Sequence, residues 1–314
     1  MAMNNETSEI GNKSRSSNSG YQEPLFSLKH SPWNNQKLIV GAVVLGILMI
    51  LALVGKVFWN ADLINVGSSP LNLPPVGFDY RNQIGSWSYP LGTDNSGRDL
   101  LALILTGLPR SLGIGFVAAL LGLGVGIFLG FSAGYLGGWV DDVIRLISDT
   151  TMNIPGLLVL IIIQSLIPDA GFFLMAVLLA LFAWQKPTRI LRAQVLSMKH
   201  SEYVKLTQLS GSSAQSIMFT EIMPNLLPYL VAQLTAGTSF SVLVLVGLEV
   251  LGLGSQNIPS LGVTLNNAIN AAAMLRGMWW WWGIPTIILI LIFMCLLLIT
   301  VGMDEVTNPR LRNA

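Results

Sequence analysis

The chain has 314 residues, of which 52% are apolar and only 11% charged. Water-soluble domains carry about 25% charged residues, so the composition excludes a soluble globular protein. A net charge of +1 excludes the concentrated basic surface that nucleic acids select. The single cysteine, Cys295, excludes an intrachain disulfide, and with only His30 and His200 beside it no protein metal site is expected.

Residues 1–37 are polar, rich in Ser and Asn, and lack the apolar core of a signal peptide. They hold too little apolar surface to fold alone and read as a flexible cytoplasmic leader. After them come six stretches that meet the demand for roughly 20 mostly apolar residues per membrane-crossing helix. They are predicted at Leu38–Phe58, Ser111–Tyr135, Ile144–Ile167, Ala170–Gln185, Asn225–Leu248 and Gly283–Gly302. The fold class is therefore an all-α membrane protein with six transmembrane helices.

An even number of spans puts both termini on one side. With the termini inside, the inner face holds 12 of the 17 Lys and Arg residues, including Arg145, Lys186, Arg189, Arg192, Lys199 and Lys205. The outer face holds Lys56, Arg81, Arg98, Arg110 and Arg276. Cytoplasmic loops carry the Lys and Arg excess, so the termini are expected in the cytoplasm. Residues 59–110 then form an external loop with a short helix, and residues 186–224 a cytoplasmic loop within the 111–303 core. Residues 304–314 form a cytoplasmic tail.

Within the second span Gly122, Gly126, Gly130 and Gly134 recur every four residues, on one helix face. Missing side chains let a neighbouring helix approach closely, so the stripe is expected to pack a helix, with lining of a substrate path as the alternative. Four consecutive tryptophans, Trp279–Trp282, stand where the sixth span enters. Indole prefers the headgroup layer, and an aromatic belt is expected there. Asp149 and Glu249 lie close to span ends and are expected to be solvated or locally hydrogen-bonded.

No phosphate cradle ending in Gly-Lys-Ser/Thr, nucleophile elbow or paired zinc motif is present. The chain is expected to be no enzyme: catalytic residues, none; metal ligands, none. The inner loop reads as helix, turn, helix. Tyr203, Leu206 and Leu209 give apolar residues at helical spacing, Gly211 ends the first helix, and Ser212 or Ser213 caps the next segment. Pro224 marks a break before the fifth span. Such a helix suits a groove on a partner protein, with an amphipathic helix lying on membrane lipid as the alternative.

Four ordered motifs carry a resemblance. They are Leu91-Gly92-Thr93-Asp94 with Gly97-Arg98-Asp99-Leu100, then Gly134-Tyr135 with Gly137-Gly138-Trp139-Val140-Asp141, Asp149 and Pro155. The third is Leu251-Gly252-Leu253-Gly254 with Pro259 and Gly262, and the fourth Pro309-Arg310-Leu311-Arg312. Over about residues 31–312 the chain resembles the C-type permease subunits of ATP-binding cassette importers in the dipeptide, oligopeptide and nickel group. In the first motif Asp94 suits a helix cap, and Asp99 with Arg98 a surface ion pair.

The resemblance implies the type I importer permease fold in the cell membrane. It also implies a second homologous permease, two ATP-binding subunits and an extracellular or periplasmic solute-binding protein as partners. It places no cofactor on this chain, and ATP and Mg on the ATPase subunits. The function implied is alternating access for peptides or similar small solutes, oligosaccharides and nickel included; the alternative is a stand-alone ion-coupled carrier. Tyr203, Lys205, Leu206, Leu209, Gly211, Ser212, Ser213 and Pro224 would couple to the ATPases, with Gly211 as pivot.

The chain departs from the family's pattern at several positions. Lys205-Leu206-Thr207 replace Glu-Ala-Ala, although Gly211 and Pro224 keep the family spacing. Met223 precedes that proline in place of leucine. Leu245 stands where an acidic residue is usual, with Glu249 one turn later, and Leu261 and Asn308 replace Trp and Asp.

Overall fold

The computed structural model describes residues 35–167, 170–213, 216–255 and 258–307. Asn35 opens the first helix by accepting the backbone N–H of Lys37 at 2.9 Å. Helix α1 runs over Gln36–Phe58, so the predicted 1–37 leader loses its last two residues to it. Residues 1–34, and Asn308 with the terminal Pro-Arg-Leu-Arg motif, lie outside the described residues.

A single-turn 3-10 helix, Ala61–Ile64, and a hairpin of β1 (Asp79–Tyr80) with β2 (Gln83–Ile84) follow. Helix α2, Leu100–Leu136, starts eleven positions before the expected Ser111. Its 37 residues make it about 55 Å long at 1.5 Å per residue, well beyond a hydrocarbon core of about 30 Å. The irregular segment between the first two spans therefore ends at Asp99, and the expected boundary at residue 110 falls inside α2. Charge at Arg110 and the ring of Pro109 suggest a helix boundary in sequence, yet both sit inside the helix.

The third and fourth spans are broken. Helix α3 (Gly138–Asn153) and α4 (Gly156–Leu166) meet at 75°. Pro155 supplies the reason: it has no N–H and drives Ile154 into extended backbone, φ −79° and ψ 125°. Helix α5 (Phe172–Ala180) bends by 51° into α6, Gln185–Lys199. Residues 186–199 are thus helical and packed on α2, which shortens the expected cytoplasmic loop to the neighbourhood of α7, Glu202–Leu209.

The fifth span is one rod from Ile217 to Leu253. A π-helical stretch, Ile217–Ile222, leads into α8, Met223–Leu248, and a second, Glu249–Leu253, closes it with an unwound Gly252 at φ 86°. Pro224 therefore does not break the chain. It stands at the second position of α8, directly after the π-helical stretch, inside the continuous rod. Helix α9 (Leu261–Asn270) and α10 (Trp279–Thr307) complete the described residues. Among the described residues four continuous helices are long and apolar enough to cross a membrane, and six spans result when each bent pair counts as one.

Helix α2 lies at the centre. Its first third packs Leu100, Leu103 and Leu108 against Trp280, Trp281 and Leu261. Its middle packs Ile114 and Ala118 against Leu160, Met175 and Leu245. Its last third packs Leu123 and Phe131 with Leu191, Val195, Val204 and Ile222. Trp280 and Trp281 are fully buried, so half of the tryptophan run belongs to the core and not to a headgroup belt.

Candidate coupling segment and transport cavity

The glycine stripe brings α6 onto α2. A Cβ added at Gly122 would stand 2.6 Å from Ala183 Cβ, and one at Gly126 2.6 Å from Pro187 Cβ. At Gly130 it would stand 2.9 Å from the Thr188 carbonyl oxygen, and at Gly134 2.9 Å from that of Arg192. All four glycines face α6 or the turn before it, leaving no room there for a solute. Arg192 closes the same interface with a bidentate ion pair to Asp141 of α3, and Lys199 Nζ donates to the Tyr135 carbonyl at 2.5 Å.

Helix α7 continues from α6 and is anchored by one side chain. Val204 is fully buried in the cluster of Leu191, Ile217 and Ile222, whereas Tyr203, Lys205, Leu206 and Leu209 point away. Leu206 and Leu209 are 65% and 85% exposed. Gly211 ends α7 at φ +79°, with its N–H on the Gln208 carbonyl and the Ser212 N–H on that of Thr207. This paired closure needs a left-handed residue, which glycine supplies without steric cost.

Of the two serines expected to cap the next segment, Ser213 does so. Its Oγ accepts the Ser216 N–H at 3.2 Å and its carbonyl the Ile217 N–H at 3.0 Å. The expected second short helix is instead the start of the fifth-span rod, so Gly211 links one free-standing helix to a membrane helix. Pro224 sits in that rod, apart from the exposed apolar edge.

At the other end of the bundle the first motif is a buried clasp. Thr93 Oγ1 accepts the Leu73 N–H at 2.8 Å and donates to the Pro70 carbonyl at 2.6 Å, while Trp280 Nε1 donates to the Thr93 carbonyl at 3.1 Å. Gly92 and Gly97 both have positive φ and lie tight on backbone carbonyls of residues 69–73.

The two aspartates exchange their expected roles. Asp99 caps α2, accepting the Ala102 N–H at 3.0 Å and the Trp59 indole N–H at 2.7 Å. Asp94, fully buried, pairs with Arg98 at 2.6 Å and takes the N–H groups of Ser96 and Arg98. Capping depends on which carboxylate stands at the first free N–H groups, and the tight turn at Gly97 delivers Asp99 there. Burial pushes the Asp99 carboxyl above the usual carboxylate range, against the pull of its hydrogen bonds.

Glu249 is 4% exposed, so of its two expected states, solvated or locally hydrogen-bonded, the solvated one is excluded. It lies against Ser260 and Gly262, with Arg110 of α2 close enough to act on it electrostatically. Asp149 follows the expectation: it is partly exposed and pairs with Arg145 at 3.6 Å.

A cavity of about 680 Å³ opens between the α3–α4 bend, the α5–α6 bend and one face of α8. Its size falls within the range of small-molecule clefts, roughly 300–1,000 Å³. Gln233, Gly237, Phe240, Val244 and Gly247 line it at alternating steps of four and three along α8. From the facing turn come Phe182, Gln185 and Lys186. Apart from Lys186, which counts in the sequence only as an inner-face cation, none of these is singled out there, although the 4-3-4-3 spacing on α8 is a legible signal of one helix face.

Residues 126–313 match the family described as the binding-protein-dependent transport system inner membrane component. The chain is 33% identical over 190 residues to the oligopeptide transport system permease protein OppC of Lactococcus lactis subsp. lactis, covering 60% of this chain and 65% of that protein. It is 31% identical over 236 residues to the dipeptide transport system permease protein DppC of Haemophilus influenzae, covering 74% and 78%. It is 28% identical over 297 residues to DppC of Bacillus subtilis, covering 93% and 88%. The fold and the matched span define a multi-pass membrane component of a transport system. The chain belongs to the family of binding-protein-dependent transport system inner membrane components.

Proposed function

We propose that the chain is a translocation subunit of an ATP-driven importer, moving peptides or similar small solutes by alternating access. The observation that carries this reading is α7: a helix held to the bundle by Val204 alone of its buried residues, with Leu206 and Leu209 uncovered. An apolar helix edge of this kind docks in a groove of a partner, and the partner this reading requires is an ATP-binding subunit. ATP and Mg belong to two such subunits, which drive α7 when they close. A second homologous permease covers the open side of the cavity, and an external binding protein delivers the solute.

In this reading the termini lie in the cytoplasm and the Thr93 clasp outside. The Lys and Arg distribution supports that orientation. Similarity to permeases named for oligopeptides and dipeptides supports peptides as the solute class.

The test is solute uptake into proteoliposomes. The chain with its permease partner, ATPase subunits and binding protein is expected to accumulate peptide only with ATP inside. Accumulation by the chain alone on an ion gradient would instead show a stand-alone carrier.

A further inference from the structure

We propose that Lys186 is a carboxylate-binding group in the transport cavity, and that the solutes passing it are acids such as peptides with a free C-terminus. The assignment rests on the importer reading above and names the chemistry of its solute.

Lys186 is the one charged residue lining the cavity among the described residues. It lies in the first turn of α6, thirteen positions before Lys199, which is roughly 20 Å of helix. Its neighbour Pro187 packs against Gly126 of α2, while Lys186 itself is exposed, midway along the bent Phe172–Lys199 span and in the lining of the cavity. Ionisable groups at membrane depth are costly and mark solute or ion pathways.

The partners of Lys186 are incomplete. Its Nζ lies 5.3 Å from the centroid of the Phe240 ring, and no carboxylate pairs with it among the described residues. A ring face attracts a cation but accepts none of the three N–H donors in a directed way. Arg192 and Lys199, on the same helix, each have a directed oxygen partner. The cavity therefore presents an ammonium whose natural complement is an anionic oxygen from outside the chain.

The remaining polar groups in the lining fit a peptide. Gln185 and Gln233 offer amide donors and acceptors, and the Ser241 hydroxyl is buried without a hydrogen-bond partner. A free divalent cation would meet repulsion and no carboxylate, imidazole or thiolate among the described lining residues. A neutral oligosaccharide would leave the ammonium unpaired.

The experiment compares wild type, Lys186→Met and Lys186→Arg in the fully assembled importer in proteoliposomes. The probes are tri-alanine and tri-alanine amide, which differ only at the C-terminal carboxylate. The Met variant is expected to lower the ratio of acid to amide uptake about ten-fold, the scale of one charge-assisted hydrogen bond, and Arg to restore most of it. An unchanged ratio in Lys186→Met overturns the assignment, including the case where both probes fall together because the fold or coupling is damaged. Should the binding protein refuse the amide, tri-alanine alone decides: equal uptake by Met and Arg variants overturns the proposal. Wild type that takes up neither probe with ATP and binding protein present refutes the peptide importer reading itself, a result separable from the others.

Discussion

Two glycines on α2, two positions apart, face opposite environments and make a controlled test of the α2–α6 contact. Gly126 is buried and Gly124 exposed. A Cβ at Gly126 would lie 2.6 Å from Pro187 Cβ and 3.1 Å from the Thr188 backbone nitrogen; at Gly124 nothing stands within 4 Å. Carbon pairs rest at about 3.5–4.0 Å, so Gly126→Ala forces α6 back by about 1 Å. Pro187 is a rigid ring in the helix itself and cannot rotate away. Overpacking of this kind costs about 1–3 kcal/mol, whereas the gain in helix propensity from Gly to Ala, about 0.5–1 kcal/mol, is common to both variants.

The difference between them therefore isolates the clash. At about 2–4 °C per kcal/mol, Gly126→Ala is expected to melt roughly 2–12 °C below Gly124→Ala. Intrinsic fluorescence of the nine tryptophans during a thermal ramp in detergent reads the transition. Because Lys186 adjoins Pro187, the Gly126 variant should also lose uptake when reconstituted. A Gly126→Ala protein that melts at or above Gly124→Ala would refute the close packing on which the position of α6 depends.

Three further outcomes are expected. Asp94→Ala leaves the largely buried Arg98 guanidinium unpaired and should cost about 3–5 kcal/mol, more than Asp99→Ala. The latter removes a cap worth about 1 kcal/mol together with the Trp59 hydrogen bond, and thermal melts of the two variants should keep that order. Asp141→Ala and Arg192→Ala should be non-additive, with a coupling of about 1–2 kcal/mol for a bidentate pair that is only partly exposed; a double-mutant cycle with zero coupling would dismiss the pair. A Cβ added at Gly211 meets no atom within 4 Å, but Gly211→Trp must hold φ +79°, which costs about 1–2 kcal/mol; uptake should be lost while the melting point falls by only about 2–8 °C, and normal uptake would remove Gly211 as the pivot.

Apolar length alone made the four continuous spans legible, because nothing but a helix satisfies the backbone in lipid. The partnership of charges was not legible. Arg192 read as a solvated loop residue since its partner, Asp141, stands 51 residues away in sequence. Only the fold shows that the pair neutralises and lets α6 pack inside. The same holds for the motif carboxylates. Asp94 and Asp99 are both plausible caps by composition, and the left-handed turn at Gly97 decides between them. Tryptophan's preference for the headgroup layer is a property of exposed indoles; Trp280 instead finds a carbonyl acceptor in the Thr93 clasp and buries its ring.

The broken spans tie cavity and coupling segment together. Irregular backbone at membrane depth is tolerated where protein buries it or a cavity takes it up, and both bends, at Pro155 and at residues 181–184, border the cavity. From the second bend α6 runs unbroken to Lys199, with Lys186 at its cavity end. Beyond its far end α7 plants Val204 against Leu191 of α6 and Ile217 of the fifth-span rod. A push on the exposed edge of α7 therefore meets two stiff elements at once. One is α6, which carries the cavity's cation; the other is the rod whose Phe240 faces that cation. Relative sliding of the two would change the distance between ammonium and ring, so the same displacement that opens one side of the cavity also alters its hold on an anionic solute.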